Sequence, residues 1–126
     1  MMALAVRVAM FCPGWRIRGA TLAMPGALEA AVSSMQTPLI YPFFMAEGWF
    51  TRTNLPRRLK ACGAGELQQL APFGTDPALP ELMAQTARDG AKAAGLTPAD
   101  AALLIAAHGS KISATSADTT WAMVEK

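Results

Sequence analysis

His108 is the only histidine in the chain, and it follows directly on seven apolar residues, Ala101–Ala107. Gly109 and Ser110 come next. A short apolar run closed by Gly and Ser has the pattern of a strand buried on both faces. In an open α/β sheet, ligands bind just beyond the carboxyl ends of such strands, so topology puts His108 where a functional group belongs. An imidazole there suits metal ligation or general-base work near neutral pH. The plainer alternative is a loop histidine that caps or hydrogen-bonds. His108, Ser110 and Asp118 also raise a hydrolase reading, which is weak. The chain has no G-x-S-x-G elbow, and a nucleophile and its base rarely sit two residues apart. Arg52, Arg57, Arg58 and Lys60 put four positive charges into nine residues with no acid among them. Taken alone, such a cluster describes a solvated helix face.

The elements that must position these residues follow from spacing. Leu4, Val8 and Phe11 share one helical face, and Pro13-Gly14 ends that helix. Trp15–Leu22 alternates apolar with charged residues, which predicts a half-exposed strand at a sheet edge. Pro25 opens a helix with Leu28, Ala31, Val32 and Met35 on one face. Thr37–Met45 is a second apolar run and predicts an interior strand. Pro42 cannot donate to a ladder there, so a bulge or an early strand end is expected. Asn54 and Pro56 mark the start of a helix with Leu55, Leu59 and Cys62 as its buried stripe, stopped by Gly63. Glu66–Ala71 is a weaker strand. Asp76-Pro77 opens a helix that keeps its spacing from Leu79 to Ala94 and stops at Gly95. Ala101–Ala107 is the last strand, and Thr115 with Asp118 resembles a capping box for a terminal helix. The order αβαβαβαβα implies right-handed crossovers and a parallel sheet of about four strands with helices on both faces.

Composition narrows the function classes. With 52% hydrophobic and 16% charged residues, a packed core is expected rather than disorder. A net charge of +2 is too small to argue for nucleic acid. Cys12 and Cys62 have neither disulfide-framework nor zinc-ligand spacing and read as reduced core thiols. The eight methionines are core filling. The apolar start MMALAVRVAMF lacks a basic leader and is too short to span a bilayer, so no membrane association and a cytoplasmic location are expected.

Three stretches carry a family resemblance: LLIAAHGSKISATSAD, PLIYPFFMAEGWFTRTNLP and LAPFGTDPALPELM. Together they cover most of Thr37–Asp118, and their order and spacing resemble the class II chelatases of sirohydrochlorin and cobalamin metabolism, the CbiX-type proteins. The first is similar to that family's opening strand and histidine-glycine-serine turn. The second is similar to its third strand and the following loop and helix, and the third to its fourth strand and the start of the last helix. The resemblance implies a flavodoxin-like, chelatase-like α/β fold read in shifted order. Residues 1–100 form one half without its first strand, and residues 101–126 supply a first-strand equivalent. A fragment of a tandem protein, a truncated gene product and a natural permutation all fit that order. In flavodoxin-like sheets the first strand is central, so Ala101–Ala107 is expected to fill a central slot, within its own chain or by exchange with a second copy.

The resemblance also implies a function. A divalent metal, cobalt or iron, is the substrate to be inserted into a tetrapyrrole, and no organic cofactor is expected. His108 is the catalytic residue and metal ligand, assisted by Glu47, the one acid near the expected mouth of the site. Ser110, Trp49, Phe50, Arg52 and Arg57 are the substrate-binding candidates. The aromatic pair offers a flat wall to a macrocycle, and the arginines suit its carboxylate arms. Phe43 and Phe44 are expected in the core. This sequence departs from the family at two places. Phe50 stands where the family has a second histidine, and the acidic residue expected after the second strand is absent at Ala23-Met24-Pro25. The alternative reading is therefore a non-catalytic module that needs a homodimeric partner or a second chelatase-like half.

Overall fold

The computed structural model describes residues 2–106. Among the described residues four α-helices are formed: α1 (Met2–Ala9), α2 (Ala27–Ser33), α3 (Leu55–Ala61) and α4 (Leu79–Ala93). A π-helical turn, Phe50–Asn54, leads into α3, and a 3₁₀ turn, Phe73–Thr75, precedes α4. The chain divides into two compact units, Met1–Ile40 with Arg52–Gln69, and Tyr41–Thr51 with the residues from Leu70 onward.

The helix ends are set by the residue types that the sequence puts there. After α3, Gly63 takes the left-handed conformation (φ 75°), Ala64 N–H donates to Leu59 O at 2.8 Å, and Gly63 N–H donates to Lys60 O at 3.1 Å. That is a Schellman closure, and it needs a residue without a Cβ at the αL position. Gly95 (φ 70°) closes α4 in the same way, with Leu96 N–H on Ala91 O at 2.9 Å. At its other end the Asp76 carboxylate accepts from Ala78 N–H at 2.9 Å, and Pro80 occupies the first turn, where its missing N–H costs nothing.

In the first unit the core is Leu28 of α2, Leu55 and Leu59 of α3, and Ala64, with Leu22, Val32, Ile40, Cys62 and Leu67 packed against them. These include the whole Leu55–Leu59–Cys62 stripe and, of the face expected on α2, Leu28 and Val32. Arg58 ties the layer together. Its guanidinium donates to Leu22 O at 2.7 Å and to the Glu29 carboxylate at 3.0 Å. The face expected for α1, by contrast, is not covered: Leu4, Val8 and Phe11 are all exposed, and the helix ends at Ala9, short of Phe11.

No strand is formed among the described residues, so the parallel sheet of about four strands expected from the spacing is not seen there. One parallel bridge joins Ile40 to Gln69, with Ile40 N–H donating to Gln68 O at 2.9 Å. Beyond it, Phe73 N–H donates to Pro42 O at 3.0 Å, and Gly74 N–H to Phe44 O at 2.9 Å. The physical reason lies in two prolines. Pro42 and Pro72 each remove a ladder donor, so the two segments stay joined by separate long-range backbone bonds instead of a regular ladder. Residues 15–20 take no helix or strand, contrary to the edge strand expected there, although Ile17 is half-buried between exposed Arg16 and Arg18 as alternation requires. No backbone–backbone hydrogen bond reaches residues 16–20 among the described residues. Residues 101–106 differ most from expectation: they form no strand, and Leu103 and Leu104 are 65% and 88% exposed. A two-faced apolar strand is stable only with neighbours on both sides, and among the described residues no backbone–backbone hydrogen bond reaches this segment. Ala107, His108 and the expected helix after Thr115 lie outside the described residues.

Two outcomes follow for stability. Leu59→Ala removes a 3%-exposed side chain from the core and is expected to cost about 2–5 kcal/mol, read as a lower urea midpoint. Glu29 is held below the ordinary carboxylate value by its own backbone N–H and then by Arg58. Its stabilising effect is therefore present above the unfolded-state value and is lost as pH falls through the lowered one. Glu29→Gln should flatten that acid limb in urea midpoints measured against pH, and an unchanged slope contradicts the assignment.

Candidate functional site

The loop that carries Glu47, Trp49 and Phe50 is clamped at both ends within the second unit. At its start, Gly74 lies so close to the Met45 backbone that a Cβ on residue 74 would overlap the Met45 carbonyl group. Only glycine permits that approach. At its end, Thr51 is 2% exposed. Its hydroxyl accepts from Gly48 N–H at 3.0 Å and donates to Gly48 O at 3.2 Å, while its own N–H donates to the same carbonyl at 3.1 Å. A buried hydroxyl with its partners supplied is rigidifying, and here it knots the turn from which the aromatic pair projects.

Trp49 and Phe50 meet edge to face at 5.1 Å, and Phe50 stacks on Phe44 at 5.9 Å. Both stay open to solvent, at 55% and 51%. Phe43 packs on Phe73 at 4.9 Å but is half exposed, so it is not the core residue that its apolar neighbours imply. Nearby, the Tyr41 hydroxyl donates to the Asp76 carboxylate at 3.4 Å, and burial together with that negative charge raises the phenol pKa. The result is an aromatic surface held on a rigid loop, with the wall formed by Trp49 and Phe50 as expected.

The charged candidates divide by role. Glu47 is half-buried on this loop and already engaged in an interaction. Arg52 is exposed on the π-helical turn and engaged as well. Arg58 is structural, spent on Leu22 and Glu29. Arg57 lies with Lys60, Pro56, Gly65 and Glu66 around a shallow depression of 430 Å³ on the first unit. No group of three His, Cys, Asp or Glu side chains able to hold a metal occurs among the described residues. His108 and Ser110 lie outside those residues, so their geometry relative to Glu47 is not described. The sequence reading missed Gly74 and Thr51. The PFGT stretch held the signal for Gly74, since a glycine closing a strand-like apolar run often marks a close backbone approach. Thr51 gave no signal.

Comparison with solved structures places the fold. CbiX, described as the terminal enzyme for biosynthesis of siroheme in denitrifying bacteria, superposes with a TM-score of 0.86 and 46% sequence identity. The match covers 98% of this chain and 54% of that one, so the chain spans about half the length of its relative. No protein-family model and no curated protein matches the sequence. The class is thereby set: this is a chelatase-like protein. More particularly, it belongs to the CbiX-type chelatase family.

Gly74→Ala is the sharpest check on the loop. It is expected to cost about 1–3 kcal/mol and to raise amide exchange across residues 44–51, because the Met45 backbone must move. Unchanged exchange there would show that the close approach does not hold the loop.

Proposed function

We propose that this chain is a sirohydrochlorin chelatase-type module that handles a divalent metal, cobalt or iron, for a tetrapyrrole substrate. The observation that carries the reading is the 46% identity to CbiX across 98% of the chain. Inserting a metal into a tetrapyrrole requires a ligand that takes the ion from water, an acceptor for the pyrrole N–H protons, and a surface that holds the macrocycle flat. Imidazole and carboxylate suit the first two tasks. His108 holds the metal, and once the ion passes to the macrocycle the freed imidazole and the Glu47 carboxylate each take one of the two pyrrole protons. Trp49 and Phe50 supply the apolar wall, a role supported by their exposure on a clamped loop. Arg57, with Lys60 beside it, and Arg52 suit peripheral carboxylates, and Ser110 hydrogen-bonds the substrate. Around this site the chain forms a parallel sheet with helices on both faces in a soluble, cytoplasmic setting, and no organic cofactor takes part.

Phe50 favours a qualified form of that activity. A phenyl ring at the position of the family's second histidine offers neither a lone pair nor a proton acceptor. One imidazole and one carboxylate form a weak site. The isolated chain is therefore a binding module whose turnover depends on a second half or a second copy.

Titrating cobalt into the wild type and into His108→Ala should give affinities differing by at least about tenfold, or roughly 1.4 kcal/mol. Equal affinities would remove His108 from the site. Metal insertion into sirohydrochlorin, followed by absorbance, should be slow for the isolated chain and faster for Phe50→His. Rapid turnover by the unmodified chain alone would overturn the dependence on a partner.

A further inference from the structure

We infer that Thr51 is a positioning residue for the macrocycle, aiming Trp49 and Phe50 through the bonds its hydroxyl makes to Gly48. That role rests on the proposed reading of Trp49 and Phe50 as the wall. Thr51 is the one buried polar side chain among the described residues, at 2% exposure. A hydroxyl taken out of water costs free energy unless its hydrogen bonds are replaced, and valine fills the same shape without that cost. Burial alone therefore gives no reason for a hydroxyl here. What the hydroxyl adds is direction. It accepts from Gly48 N–H at 3.0 Å and donates to Gly48 O at 3.2 Å. The Thr51 N–H reaches the same carbonyl at 3.1 Å.

These bonds close a ring around the aromatic pair, since Trp49 and Phe50 are all that lies between Gly48 and Thr51. Tying both ends of so short a span leaves few backbone torsions free, so the knot sets the direction of both rings. Threonine is β-branched and stiff at χ1, which carries the constraint from hydroxyl to backbone. Contacts between the rings do not replace it. The edge-to-face contact at 5.1 Å and the Phe44 stack at 5.9 Å still leave Trp49 and Phe50 55% and 51% exposed. The Gly74 approach acts further back, at Met45, and so holds the entry of the loop rather than its aromatic span. A flat, rigid macrocycle meets a fixed wall with little ordering cost, whereas a loose Trp49–Phe50 span must be ordered on binding.

The test is calorimetric titration of metal-free sirohydrochlorin into the full chain. Thr51→Val keeps the shape, removes the hydroxyl and should weaken binding about tenfold, the scale of ordering one or two interface side chains. Thr51→Ser keeps the hydroxyl and should bind like the wild type. A double-mutant cycle separates aiming from a general structural role. In a chain carrying Trp49→Ala and Phe50→Ala, Thr51→Val should bring no further loss, because no wall remains to be aimed. If Thr51→Val loses its helical circular dichroism, Thr51→Ala takes its place against Thr51→Ser. Unchanged affinity in Thr51→Val, no recovery in Thr51→Ser, or an equal loss without the two rings would each overturn the positioning role while leaving the wall reading intact. No binding by the wild type, or full affinity in the chain without the two rings, would instead overturn the wall reading and this role with it.

Discussion

A peptide group that leaves water must find a partner, and in this chain prolines decide where that is possible. Pro42 and Pro72 sit in the two segments that approach each other as strands would, and neither can donate. A buried peptide group left unpaired costs about 1–3 kcal/mol, against a typical total stability of about 5–15 kcal/mol. Among the described residues regular pairing is therefore confined to one bridge at Ile40 and Gln69. The remaining backbone satisfaction comes from helices closed by Gly63 and Gly95, from the Gly48–Thr51 knot, and from the Gly74 approach.

Charge follows the same logic. Four cations between Arg52 and Lys60 look alike in sequence, but each backbone carbonyl that needs a donor takes one out of circulation. Arg58 serves Leu22 O and Glu29 together, using the planar fork that lysine lacks. Arg57 and Lys60 border a shallow surface depression instead. A basic cluster on a short helix is thus divided by which residue faces the neighbouring layer.

The helices were legible because their signals are local. The Leu55–Leu59–Cys62 stripe and the two stopping glycines require only the neighbouring turn, and both appear where spacing puts them. The family was legible from motif order. The sheet was less so, because strand formation depends on what lies alongside. Pro42 gave warning of a break, but the matching effect of Pro72 emerges only when the two segments are placed together. Ala101–Ala106 has the composition of a buried strand, yet composition cannot supply its neighbours, and Leu103 and Leu104 stand exposed. Of the candidate site, the aromatic pair is placed on one clamped loop, whereas His108 and Ser110 lie outside the described residues.

The aromatic loop carries the last step. Fully burying a large apolar side chain is worth about 1.5–3 kcal/mol relative to leaving it exposed. Phe43, Trp49 and Phe50 are each held half open. Flexible residues collapse inward under that driving force, but the Gly74 approach and the Thr51 knot hold this loop in place. A surface kept rigid and apolar is preorganised for a flat, rigid partner, because binding then requires little ordering of either side. Under the proposed function that partner is the tetrapyrrole face. The substitution of Phe50 for a histidine then reads coherently, since it exchanges a ligand for a wall. Under that same proposal the loop holds the macrocycle better and the ion less well, which leaves the ion to His108.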